Sequence, residues 1–87
     1  MSYSIEDGYR LYNERKFKEA FDALYDAAAL QNNSEAQYYL GMMYHDGDGV
    51  EKNIDKAIKW WSKARRNGHV DAANKMSEIS TSTKNMF

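Results

Sequence analysis

Small and large apolar residues recur at helical spacing in the second half of the chain. Ala57, Trp61 and Ala64 follow one another at spacings of four and three, which places them on one face of a helix. Asn53 is a favourable N-cap before this stripe, and Gly68 is a residue type that often ends helices in the left-handed conformation. The pattern predicts a helix in which two alanines let a neighbouring helix approach closely while one large ring fills the space beside them.

The preceding segment predicts the partner helix. Ser34 and Gln37 have the spacing of a capping box, which predicts a helix that begins at Ser34. Gly41 removes a side chain where the partner helix could lie against the backbone. The apolar stripe of this helix consists of Ala36, Leu40, Met43 and Tyr44. Together the two helices form one predicted hairpin.

Residues 4–30 contain a similar pair of helices. Ser4 is predicted to cap a helix that continues through Glu14, and a second helix is predicted over residues 17–30. The second helix repeats the spacing of alanine, large residue and alanine with Ala20, Leu24 and Ala27. This internal repeat indicates a modular architecture.

Residues 70–80 match the first helix of the central hairpin at a displacement of 36 residues, with Ala72 at the position of Ala36. We therefore predict one domain over residues 1–80 with about five antiparallel helices, because each pair buries its apolar face only against a neighbour. The predicted parts are a helix pair at residues 4–30, a repeat at residues 34–68, a capping helix at residues 70–80 and a flexible tail at residues 81–87.

The runs AQYYLGMMYHDGDGV, KAIKWWSKA and NGHVDA resemble the Sel1-like repeat, a helix-turn-helix relative of the tetratricopeptide repeat. The resemblance implies an all-α fold in which paired helices form a short right-handed superhelix. Arg65 departs from the pattern, because the family usually has another small residue there. The matching positions are Leu40, Gly41, Tyr44, Gly47, Gly49, Val50, Ala57, Trp61, Ala64 and Gly68.

The composition excludes several classes of function. A chain of 87 residues with 43% hydrophobic residues can build one domain with a thin core. Its net charge of −1 gives no general attraction to nucleic acid or to an anionic membrane, and the absence of cysteine excludes disulfides and thiolate metal sites. No apolar run is long enough to span a membrane and the first residues lack a secretory pattern, so a cytoplasmic location is expected.

Neither catalysis nor a cofactor is expected from the residues. A nucleophile with a base requires serine or threonine near histidine, and His45 and His69 have no such partner at a telling spacing. The glycines at positions 47 and 49 follow a predicted helix and no Gly-Lys-Ser/Thr sequence comes after them, which argues against a phosphate-binding loop. We therefore predict a non-enzymatic protein.

The loop that contains His45, Asp46 and Asp48 superficially resembles a calcium-binding loop. The calcium pattern requires oxygen ligands at alternating positions and a glutamate at its last position, but Val50 and Ala57 occupy two of these positions. A structural loop between paired helices is therefore favoured over a metal site, and no metal is predicted.

In helical-hairpin arrays the first helices of successive repeats line the concave face, so the resemblance implies a partner-binding surface there. Tyrosine gives contact area at small entropic cost and methionine adapts in shape, which suits recognition. The leading hypothesis is a protein–protein interaction module, an adaptor or an inhibitor, that binds a partner protein or peptide through this face. The implied positions are Ile5, Tyr9, Tyr12, Asn13, Tyr38, Met42 and His45, with Asp46, Asn74 and Glu78 beside them.

Three other interpretations stay open. Tyr12 and Tyr39 could only pack between helices while Tyr9 and Tyr38 are scattered surface rings. Copies of the chain could self-associate, because the outer helices of so short an array have little cover. The basic run on the predicted fourth helix could contact nucleic acid, although a solvated face on the convex side is favoured. This run consists of Lys56, Lys59, Lys63, Arg65 and Arg66, with Trp60 beside them.

Overall fold

The chain folds into five α-helices and contains no strand in the part that this computed structural model describes, residues 4–84. Each helix packs mainly on the next one along the chain, which produces an elongated stack of 48 × 24 × 17 Å. The connections are short, so consecutive helices run in opposite directions. The helices are α1 (Ile5–Asn13), α2 (Phe17–Ala29), α3 (Ser34–Asp46), α4 (Ile54–Arg66) and α5 (Val70–Lys84). The predicted all-α repeat fold is confirmed.

Two of the predicted N-caps are confirmed by their side-chain hydrogen bonds. The Ser4 hydroxyl accepts from the backbone N–H of Asp7 at 3.2 Å, and the Asp7 carboxylate accepts from the Ser4 N–H at 3.1 Å, which forms a capping box. The Asn53 side chain accepts from the backbone N–H of Lys56 at 3.0 Å. Local sequence therefore sets where α1 and α4 begin.

The predicted capping box at the start of α3 is wrong. Asn33 caps this helix, because its side-chain oxygen accepts from the N–H of Ala36 at 2.9 Å, and Ser34 is already the first helical residue. Gln37, which was expected to close the box, is fully buried. Asn33 thus satisfies a free N–H of the first turn, and the Gln37 side chain lies in the core.

Gln37 belongs to a network of side-chain amides that joins the turn before α3 to the end of α4. Its Nε2 donates to the carbonyl of Ala28 at 3.0 Å and to Asn32 Oδ1 at 2.9 Å. Asn67 Nδ2 donates to Gln37 Oε1 at 3.1 Å and to Asn32 Oδ1 at 2.9 Å. Both polar ends of the buried amide are therefore satisfied, as burial requires.

α4 ends at a left-handed glycine, as the sequence predicts. Gly68 has a φ of 88°, its N–H donates to Arg65 O at 2.9 Å, and the His69 N–H donates to Ala64 O at 2.9 Å. The end of α5 differs from the prediction. α5 continues to Lys84, past the predicted end at residue 80, so residues 81–84 are helical where a tail was expected. Residues 85–87 of that tail lie outside the described residues. The division into a helix pair, a repeat and a capping helix stays a prediction.

The predicted alanines are buried between helices. Ala20 and Ala27 of α2 belong to a cluster that α1 and α3 complete, and Ala57 and Ala64 of α4 surround Trp61 in a second cluster. All four alanines are at most 4% exposed and Trp61 is 1% exposed. Their burial confirms the predicted packing of small residues around large ones.

The loop between α3 and α4 is packed against the first helix pair. Gly49 has a φ of 76°, and a Cβ at this position would come within 2.7 Å of the Phe17 backbone. Val50 packs against the first core cluster, and the Asn53 N–H donates to Tyr44 O at 2.9 Å. The loop therefore needs glycine for its backbone conformation and for a close approach.

Candidate functional site

Helices α1 and α3 share a face of half-buried tyrosine rings. The ring of Tyr39 lies 5.0 Å from that of Tyr9, 4.9 Å from that of Tyr12 and 5.9 Å from that of Tyr38, measured between centroids. The contacts with Tyr12 and Tyr38 are edge-to-face, the arrangement that aromatic quadrupoles favour. Tyr39 therefore holds the rings of two helices together.

His69 extends this face to the start of α5. Its ring stacks on Tyr38 with a centroid distance of 4.6 Å and an interplanar angle of 19°. Its Nδ1 accepts from the backbone N–H of Ala72 at 3.2 Å, and its Nε2 lies 3.6 Å from Glu35 Oε2. We call Tyr9, Tyr12, Tyr38, Tyr39 and His69 the tyrosine surface.

The tyrosine surface is surrounded by carboxylates. Burial raises the pKa of the Tyr9 hydroxyl to about 12, with Glu35 as the next cause. Burial also raises the pKa of Tyr12 and that of Tyr38, and nearby negative charge adds to both shifts. The carboxylates that contribute to these shifts are Glu6, Glu35, Asp46, Asp48, Asp71 and Glu78. The face therefore combines apolar rings with negative charge.

The structure brings three of the predicted site residues together. Tyr9, Tyr12 and Tyr38 all contact Tyr39. Ile5 packs against the first core cluster, as Tyr9 and Tyr12 do, and Met42 packs against the second cluster, as Tyr38 does.

Two predicted site residues stand apart from these rings. The ring of His45 lies 5.5 Å from that of Trp61, and its Nδ1 is 2.8 Å from Asp46 Oδ1. Asn13 is exposed at the end of α1. A role in partner binding stays a prediction for all seven residues.

Sequence reasoning did not assign Tyr39 or His69 to the site. The sequence predicts Tyr39 only as a ring that packs between helices, and it predicts His69 as a residue of a turn. One signal for His69 was present: it directly precedes a predicted helix, and Ala72 follows at the spacing of an N-cap bond. Nothing local indicates that Tyr39 contacts rings of α1, because that contact crosses two helices.

The described side chains form no group of three or more histidine, aspartate or glutamate residues that could share a metal ion. None of the five helices over residues 4–84 is long and apolar enough to cross a bilayer.

The family model of the Sel1 repeat matches residues 34–69. This stretch contains α3, the glycine loop and α4, together with the turn that ends in His69. The match thus covers the central hairpin, with α1 and α2 before it and α5 after it. Sel1 repeats are non-catalytic modules that mediate contacts between proteins.

Two proteins are similar to part of this chain. A putative sel1-like repeat-containing protein, L18, of Acanthamoeba polyphaga mimivirus is 54% identical over 37 residues, which are 42% of this chain and 6% of that protein. An exopolysaccharide production negative regulator of Rhizobium meliloti (strain 1021) is 40% identical over 48 residues, 55% of this chain and 18% of that protein. The chain thus spans less than a fifth of the length of either relative.

Proposed function

We propose that this protein is a non-enzymatic interaction module that binds a segment of a partner protein through the tyrosine surface. The observation that carries the proposal is the set of half-buried rings that α1, α3 and the start of α5 present side by side. The Sel1 repeat supports an interaction role, and a relative named as a negative regulator fits a protein that acts by binding, as an adaptor or an inhibitor.

The rings of the tyrosine surface are suited to binding because they are already held in place. Contacts among Tyr9, Tyr12 and Tyr39 restrict their rotation before any partner arrives. A partner that contacts rigid rings loses less entropy on binding than one that must order mobile side chains. Tyrosine is also among the residues enriched at binding hot spots.

The charge around these rings favours a partner segment that carries lysine or arginine. Glu35, Asp71 and Glu78 lie close enough to Tyr38 to contribute to its raised pKa, after burial. A cation placed over a tyrosine ring gains from the ring quadrupole, and neighbouring carboxylates add to this attraction. A negatively charged segment would be repelled by the same groups.

A display library of random peptides tests this function. We expect the immobilised protein to select peptides enriched in lysine and arginine. Tyr38→Ala should weaken their binding by about tenfold or more, as the loss of a hot-spot residue does. The matched control is Tyr25→Ala, because Tyr25 is an exposed tyrosine of α2 and lies outside the tyrosine surface.

The charge contribution is tested separately. Glu35→Gln combined with Asp71→Asn should weaken the selected peptides, whereas Glu19→Gln combined with Glu51→Gln removes the same charge from exposed positions elsewhere and should not. Circular dichroism should show equal helix content in all variants. Peptides without basic residues, or binding that Tyr38→Ala leaves unchanged, would overturn the proposal.

A further inference from the structure

A depression lined by aromatic rings and lysines lies between α2 and α4, apart from the tyrosine surface. It has a volume of about 310 Å³. The ring of Tyr25 lies 6.0 Å from that of Trp60, edge to face. The lining residues are Tyr25, Tyr44, Lys56, Lys59, Trp60 and Lys63. None of them belongs to the tyrosine surface.

Four of the five basic residues of α4 form one stripe along this depression. Lys56, Lys59, Lys63 and Arg66 are spaced three or four residues apart, which places them on one side of the helix. A smaller depression of about 230 Å³ is lined by Lys63, Arg66, Asn32 and Asn67, so Lys63 lines both depressions. From Lys56 to Arg66 the stripe is roughly 15 Å long at the helical rise per residue.

The lysine amines of this stripe are not neutralised. Lys56 Nζ lies 5.5 Å from the centroid of the Tyr44 ring, and Lys63 Nζ lies 5.1 Å from that of Trp60. Lys56, Lys59 and Lys63 form no ion pair with a carboxylate among the side chains that the structure describes. Their positive charge is therefore available to an anionic ligand.

We propose that this groove, which we call the basic groove, binds an extended segment of a partner protein that is rich in aspartate and glutamate. Carboxylates spaced along such a segment pair with the lysines, and its side chains pack on Tyr25. An extended chain covers the length of the stripe with roughly four or five residues. The two faces of the molecule then select segments of opposite charge, so the module can join two different partners.

The geometry favours an acidic peptide over a nucleic acid. Single-stranded nucleic acids bind to platforms whose aromatic faces are open for stacking by bases. Here lysine amines lie over the faces of Tyr44 and Trp60.

Fluorescence anisotropy with a labelled glutamate-rich peptide tests the basic groove. We expect binding that weakens as salt is added. Lys59→Gln combined with Lys63→Gln should weaken it by about tenfold or more. Arg65→Gln combined with Lys52→Gln removes the same charge from exposed positions outside the groove and should leave the affinity unchanged. Tyr38→Ala, on the tyrosine surface, should also have no effect.

Three outcomes would overturn the proposal. If Arg65→Gln combined with Lys52→Gln weakens binding as much as Lys59→Gln combined with Lys63→Gln does, only the net charge of the protein matters. A single-stranded DNA of equal charge that binds more tightly than the peptide would assign the groove to nucleic acid. Sedimentation that shows self-association of the wild-type chain, abolished by Lys59→Gln combined with Lys63→Gln, would assign it to a second copy of the protein.

Discussion

The indole ring of Trp61 lies directly against the backbone of Gly41, at the place where α4 crosses α3. Its Nε1–H donates a hydrogen bond to the carbonyl oxygen of Tyr38 at 3.1 Å. A Cβ added at Gly41 would overlap this ring. Trp61, the largest fully buried side chain among the described residues, is thus accommodated by the one residue type that has no side chain, and its polar atom is satisfied by the backbone.

We predict that Gly41→Ala destabilises the protein by about 1–3 kcal/mol, the usual effect of overpacking a core. The new methyl group must displace the Trp61 ring, which also weakens the bond to Tyr38 O. Urea denaturation measures the loss, and near-ultraviolet circular dichroism reports the changed environment of the tryptophan. An unaltered spectrum with full stability would contradict this account of the contact.

Gly68→Ala is the matched control for that substitution. A Cβ at Gly68 meets no atom within 4 Å, but the residue has a φ of 88°. We expect a loss of roughly 1–2 kcal/mol from left-handed strain alone, with no change in the tryptophan spectrum.

Gln37→Ala should cost about 1–3 kcal/mol, because it leaves the buried carbonyl of Ala28 without the bond from Gln37 Nε2. It also removes the hydrogen bonds of Gln37 with Asn32 and Asn67, whose exposed side chains still bond to each other. Thermal denaturation provides the measurement. Gln31→Ala, at an exposed position of the same turn, is the control and should change stability by less. Equal effects of the two substitutions would show that the amide network contributes little.

His69→Ala should weaken the start of α5. The substitution removes the Nδ1 that accepts from the Ala72 N–H, and loss of an N-cap costs about 0.5–2 kcal/mol. In His69→Ala, amide hydrogen exchange in the first turn of α5 should therefore become faster than in the wild type, whereas exchange in α2 should stay unchanged. His69→Asn restores a capping oxygen without the stacking ring, so it should recover the protection of α5. Failure of His69→Asn to do so would assign the effect to the stack on Tyr38.

Alkaline pH should destabilise the protein partly through Tyr9. Burial raises the pKa of this hydroxyl from 10.0 to about 12, so between these values the unfolded chain releases its proton while the folded chain keeps it. Stability therefore falls as the pH rises through this window. Denaturation curves should show a shallower fall for Tyr9→Phe, which cannot ionise at this position. Parallel curves for the two proteins would contradict the raised pKa.

Much of the helix architecture could be predicted from local sequence. The spacing of Ala57, Trp61 and Ala64 and the cap at Asn53 identified α4, because helix periodicity and capping depend on residues a few positions apart. The start of α3 was assigned wrongly because Asn33 and Ser34 are both good caps. Only the actual packing shows that Gln37 is drawn into the core, which requires Asn33 to take that role.

The candidate surface was less predictable than the fold. Tyr9, Tyr12 and Tyr38 were proposed as binding residues from the family resemblance, and the structure places them together through Tyr39. His69 belongs to the tyrosine surface because the turn that ends at this residue brings its ring onto Tyr38. The basic groove could not be predicted from local sequence either, since Tyr25 and Trp60 belong to different hairpins.

The helices, the alanines at their crossings and the similarity of the central hairpin to the Sel1 repeat could be recognised in the sequence, because they depend on periodicity and on residue types within one hairpin. The side-chain contacts between hairpins are visible only in the folded chain: Asn32 with Asn67, Tyr39 with Tyr12, and Tyr25 with Trp60. Such contacts follow from how successive helices are rotated and stacked, and small differences in packing at several interfaces set that rotation together.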